Sequence, residues 1–118
     1  MDPFKPRKHG KSGPEHKIQD KVITMLLRKG WYVVRVPGSK LLSGMPDLFA
    51  THSRYGQRLI EIKRPKMEGS KFTPAQLERF PKLAANGSGV WVLVADTKDE
   101  YDKLFKRQNW WTYLSEMK

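Results

Sequence analysis

The first regular pattern along the chain is a helical one. Ile18, Val22, Met25 and Leu26 recur at i, i+4, i+7 and i+8, the apolar stripe of an amphipathic helix. Pro14 suits the first helical position and Gly30 the position just past the end. The period then changes. "WYVVRVPG" (Trp31 to Gly38) is aromatic and β-branched and ends in Pro-Gly, which predicts a strand. "SKLLSG" reads as a loop. "MPDLFAT" predicts a short second strand with Pro46 at its start, where a missing N–H is tolerated. "HSRYGQ" makes a turn, and "RLIEIK" is a third strand, so the second and third strands form a hairpin.

"FTPAQLERFPKLAANG" predicts a second helix, with Thr73 as N-cap, Pro74 at N1 and Gln76 at N3, a capping-box pattern. Pro81 should kink or shorten it. "GVWVLVAD" (Gly89 to Asp96) is a continuous apolar run of strand length, as for a strand buried on both faces. Asp96 reads as a cap for the next helix. "TKDEYDKLFKRQ" predicts that short amphipathic helix, with Tyr101, Leu104 and Phe105 inward. The order is α-β-β-β-α-β-α. It implies the α/β class, a mixed sheet of about four strands flanked by helices. A right-handed crossover should join the third strand to the fourth.

Composition narrows the class. The 118 residues suit one modest core, with residues 1–13 a flexible basic arm and 14–118 a single domain. With 23 Lys+Arg against 12 Asp+Glu the formal charge is +11, which favours polyanions, nucleic acid foremost. An anionic membrane surface fits less well, because no basic helix carries a large apolar face. There is no Cys, which excludes disulfides, zinc-thiolate sites and Cys nucleophiles. No apolar run approaches the ~20 residues of a membrane span, and the start lacks the apolar region of a secretory signal. The expected location is intracellular.

The chemistry concentrates in "LIEIKRP" (Leu59 to Pro65). Ile60 and Ile62 face one side of the strand, and Leu59, Glu61 and Lys63 the other. Glu61 and Lys63 alone could be a surface ion pair worth about 0–1 kcal/mol. If the hairpin pairs, however, Asp47 lies across from Glu61. Two facing carboxylates repel unless one is protonated or a cation lies between them, and a hard divalent cation is the economical solution. Glu15 falls on the inward stripe of the first helix, where a carboxylate is unusual. It could hold water or a second cation. Lys63 would stabilise charge on a phosphate. His9, His16 and His52 show no metal-ligand spacing, and "GSKLLSG" lacks the P-loop ending.

"GMPDLFA" followed by "LIEIKRP" resembles the PD-(D/E)xK nuclease superfamily. With "PEHKIQ" ahead and "TPAQ" behind, the chain resembles its VRR-NUC branch, particularly small stand-alone viral and bacterial members. That resemblance covers roughly residues 14–97 and implies a restriction-endonuclease-like fold. It implies an Mg²⁺- or Mn²⁺-dependent endonuclease for branched DNA such as four-way junctions, in replication or repair. Asp47, Glu61, Glu15 and the Ile62 backbone carbonyl would be metal ligands. Lys63 and Glu15 would be catalytic, with Gln76 supporting, although a capping box accounts for Gln76 by itself. Small members are similar in size to Holliday-junction resolvases, so a homodimer with two sites for two cuts is expected. Arg35, Lys40, Arg58, Arg64 and Lys66 lie near the site in sequence and are candidates for DNA phosphate contact. Trp110, Trp111 and Tyr113 are core, a subunit contact or a surface that stacks on DNA bases. The other classes are a non-catalytic basic binding module and a sequence-specific restriction or homing nuclease.

Overall fold

The structure, a computed structural model, describes residues 13–65 and 71–117, with side chains through Leu114. The basic arm up to residue 12 and Lys66 lie outside the described residues. Helix α1 (Pro14–Arg28) leads into β1 (Tyr32–Arg35), β2 (Leu48–His52) and β3 (Gly56–Ile62). Helix α2 (Pro74–Ala85), β4 (Val90–Leu93) and α3 (Lys98–Asp102) follow, and two 3₁₀ segments, Lys103–Phe105 and Trp110–Met117, close the chain. The element order is the α-β-β-β-α-β-α expected.

The sheet has the order β1-β2-β3-β4. The first two pairings are antiparallel and β3 pairs β4 in parallel, which makes the sheet mixed. A parallel neighbour requires a crossover, and α2 lies within it. Strand alternation splits the core in two. Val33, Leu48, Ala50, Ile60, Ile62 and Leu93 join Val22, Ile23 and Leu26 of α1 in one cluster. On the other side Val90 and Val92 pack with Phe72, Phe80 and Trp110, with Leu59 against them. Both faces of β3 are therefore covered, and Glu61 and Lys63 are buried with the second face.

Several local expectations need correction. β1 ends at Arg35 and not at Gly38, and Trp31 is a buried residue at the joint behind α1. β4 stops at Leu93, because the Val94 N–H donates to the Glu100 carboxylate at 2.8 Å. The N-cap of α3 is Thr97, whose hydroxyl accepts from Glu100 N, and not Asp96. The helix expected there is a five-residue α3 continued by a 3₁₀ turn, so Phe105 rotates outward to 44% exposure. Pro81 does not shorten α2, which runs on to Ala85. Pro81 is itself exposed, so the carbonyl it leaves unpaired can meet water. Trp110 is core, and Trp111 stays 40% exposed.

Candidate active site

The β2–β3 register pairs Leu48 with Ile60, so its continuation sets Asp47 opposite Glu61. The pairing is completed by the side chain: the Ile62 N–H donates to Asp47 Oδ2 at 2.8 Å. In a strand the N–H and C=O of one residue point to the same edge, so the Ile62 carbonyl belongs to the Asp47 side. Helix α1 brings Glu15 around the end of the sheet. One carboxylate oxygen each from Glu15, Asp47 and Glu61 lie within 4.8 Å of one another.

Glu61 and Lys63 are not a surface pair. They are 1% and 3% exposed, and Lys63 Nζ lies 3.4 Å from Glu61 Oε2. Helix α2 supplies the partners. Thr73 and Gln76 form a full capping box, in which the Thr73 hydroxyl accepts from Gln76 N and Gln76 Oε1 accepts from Thr73 N. The other end of the same amide is turned to the site: Gln76 Nε2 donates to Glu61 Oε2 at 2.8 Å. Lys63 Nζ donates to the Lys71 carbonyl at 2.9 Å and to Gln76 Oε1 at 3.4 Å, and lies over the Phe72 ring at 5.2 Å.

The electrostatics are those of an acidic pocket short of positive charge. Burial, opposed by the Ile62 N–H and reinforced by the charge of nearby Glu15, raises the Asp47 carboxyl from 3.8 to about 6. Burial, then the charge of Asp47, pushes Glu61 well above its ordinary value. Glu61 Oε1 is sealed from solvent with no hydrogen-bond partner among the described residues. Three converging carboxylates, one orphaned oxygen and an adjacent backbone carbonyl form an all-oxygen donor set. Such a set fits a hard cation such as Mg²⁺ or Mn²⁺.

The basic candidates fare differently. Arg35 is bound to Gln19 and Asp20 of α1. Lys40 is exposed in the loop before β2, and Arg64 is half-buried just past Lys63. Arg58 is not near the acids. It donates to the carbonyls of Leu104, Tyr55 and Gln57 at the far end of β3. Nearness in sequence does not bring Arg58 to the acids, because β3 carries its two ends apart.

Sequence reasoning missed the contact between the loop and α2. Gly44 has φ +80, and a Cβ there would collide with the Ala75 carbonyl. Arg79 Nε donates to the Ser43 carbonyl at 2.7 Å. The signal available was Gly44, two residues before the Pro46-Asp47 pair, without any hint of what it approaches.

The sequence model of the archaeal Holliday junction resolvase (Hjc) family matches residues 16–110. Among solved structures, a VRR_NUC domain aligns with a TM-score of 0.64 at 24% identity, over 80% of this chain and 97% of that one. A VRR_NUC domain protein aligns with a TM-score of 0.59 at 26% identity, over 89% and 91%. The Holliday junction resolvase Hjc of Archaeoglobus fulgidus aligns with a TM-score of 0.50 at 19% identity, over 68% and 67%. No curated protein sequence matches the chain.

Proposed function

The chain belongs to the archaeal Holliday junction resolvase family of nucleases, and from that premise we propose that it is a divalent-metal-dependent endodeoxyribonuclease. Its substrate is branched DNA, four-way junctions foremost, and it acts inside the cell as a homodimer with one site per subunit. The observation that carries this reading is the convergence of half-buried Glu15 and Asp47 on buried Glu61, beside Lys63.

Asp47 and Glu61 would hold the ion, with Glu15 and the Ile62 carbonyl completing the oxygen set. When bound, Mg²⁺ or Mn²⁺ supplies charge neutralisation at the scissile phosphate and acidifies water at neutral pH. Gln76 fixes the Glu61 carboxylate by its 2.8 Å hydrogen bond and so keeps one oxygen aimed. Lys63, desolvated and held by the Lys71 carbonyl, offers a fixed positive charge to the phosphate as negative charge builds there. Glu15, half-buried at the rim, is placed to orient the attacking water. Lys40, Arg64 and Lys66 would contact DNA phosphates. Arg35, tied to α1, would do so only by exchanging partners.

A non-catalytic basic binding module has no use for buried, mutually repelling acids, whose burial costs stability. The test is a cleavage panel of four-way junctions, flaps, nicked and linear duplexes with Mg²⁺ and Mn²⁺. Junction cleavage should vanish in Asp47→Asn and Glu61→Gln with DNA binding retained. Full activity in either variant refutes the site. Equal cutting of linear duplex at a fixed sequence would favour a restriction-type enzyme.

A further inference from the structure

The end of β3 remote from the acids carries a second constellation. The β2–β3 turn and the 3₁₀ segment after α3 bring together Trp31, His52, Tyr55, Tyr101 and Phe105. His52 and Tyr55 have ring centroids 4.5 Å apart, Tyr55 and Phe105 4.9 Å, and Tyr101 and Phe105 5.2 Å. Trp31, 2% exposed, lies beneath, with Tyr55 stacked on it at 6.1 Å. The base of the cluster is fixed. Trp31 Nε1 donates to the Tyr101 hydroxyl at 3.1 Å. The Arg58 guanidinium lies between Trp31, at 5.9 Å, and Trp91, at 5.1 Å, locked to the Leu104 carbonyl. The outer pair stays open: Tyr55 is 40% exposed and Phe105 44%.

The surround is cationic. Arg54 adjoins Tyr55, Lys106 and Arg107 follow Phe105, and all three are exposed. Lys29 Nζ sits 4.6 Å from the Tyr101 ring centroid. The acids of the same segment are mostly engaged, Glu100 with Lys103 and Asp102 with Lys98, which leaves Asp99 exposed. Open rings on a rigid base, rimmed by Lys and Arg, are what sequence-tolerant binding of unpaired nucleotides requires. A second copy of the chain is a poor occupant. A symmetric contact would bring identical cations face to face on two chains of formal charge +11 each.

We propose that Tyr55 and Phe105, with Arg54, Lys106 and Arg107, form a platform for single-stranded DNA, separate from the acidic site and about 20 Å along β3 from Glu61. Unpaired bases stack on the two rings while the cations hold the flanking phosphates. The platform does not depend on the metal chemistry.

The test is fluorescence anisotropy with a labelled oligothymidine and a blunt duplex, both in EDTA. The variants are a Tyr55→Ala/Phe105→Ala pair and a ring-retaining Tyr55→Phe/Phe105→Tyr pair. The alanine pair should lose at least about fivefold in oligothymidine affinity, with duplex affinity within about twofold of wild type and the ring-retaining pair unaffected. Wild-type binding by the alanine pair overturns the proposal, as does equal loss on both probes or loss in the ring-retaining pair. If the alanine pair fails to fold, wild-type protein is photocrosslinked to an iododeoxyuridine-substituted single strand. An adduct at Tyr55 or Phe105 supports the platform, and adducts only elsewhere refute it. Because binding is read without metal, a failure of the nuclease reading appears only in the cleavage panel.

Discussion

Glu61 and Asp47 are both disfavoured as charged groups by burial and by each other's charge or that of Glu15. Both carboxyls bind protons more tightly folded than unfolded, so the metal-free fold gains by keeping them neutral. For Asp47 the penalty is absent below its ordinary 3.8, grows as pH rises, and is complete above about 6. Metal-free protein should therefore be more stable to urea at pH 5 than at pH 7.5. Asp47→Asn should flatten that difference and stabilise the apo form at pH 7.5 by on the order of 1–3 kcal/mol. A wild-type profile unchanged between those pH values would contradict the buried acid pair. Gln76 does two jobs with one amide, and two variants separate them. Thr73→Ala and Gln76→Ala should each cost about 1 kcal/mol through the capping box. Only Gln76→Ala also strips Glu61 of a partner, so it alone should lower cleavage, by roughly 10- to 100-fold. Equal activity in the two would reduce Gln76 to a cap.

At the level of elements, the site is a junction between the loop before β2 and the first turn of α2. Gly44 sets the distance between them. Gly44→Ala combines strain at φ +80 with collision against the Ala75 carbonyl, next to the residue that holds Glu61. Gly87→Ala is the matched control: φ there is +91, with nothing within 4 Å of an added Cβ. Both should lose about 1–3 kcal/mol of stability from strain. Only Gly44→Ala should weaken Mn²⁺ binding, measured by titration, because only it displaces the loop that carries Asp47 into β2. The contrast shows what a sequence can and cannot carry. Ile60 and Ile62 against Glu61 and Lys63, the helical stripe of α1 and the Thr73–Gln76 box are periodic or local, and they were legible. So was the approach of Asp47 to Glu61, because an antiparallel register follows once a hairpin is granted. The burial of Lys63 was not legible, since it depends on α2 covering that face. Nor was the Gly44–Ala75 contact or the cluster of Trp31, Tyr55 and Phe105, whose members meet only through the closed fold. Nor was the place of Arg58, near Glu61 in sequence but held at the other end of β3 by the Leu104 carbonyl. The outward turn of Phe105 follows from α3 tightening to a 3₁₀ turn, which shifts side-chain phase.

On the scale of the whole molecule two fields oppose each other. A chain of formal charge +11 favours DNA and disfavours a free divalent cation, whereas the cluster of Glu15, Asp47 and Glu61 would favour the cation. Bound DNA would cancel much of that positive field, and a phosphate held near the acids would offer a cation further oxygen donors. Metal and DNA should therefore bind with positive coupling. By linkage the coupling is reciprocal: the factor by which DNA tightens the metal equals the factor by which the metal tightens DNA. Mn²⁺ affinity should rise by about 5- to 150-fold in the presence of a cleavage-resistant four-way junction. The junction affinity should rise by the same factor at saturating Mn²⁺, and both gains should shrink as salt screens the field. Asp47→Asn should abolish the coupling while keeping the salt-dependent binding of the basic surface. Independent binding of the two ligands in wild type would mean that the phosphate does not reach the acids, and the reacting position would then have to be sought away from Asp47 and Glu61.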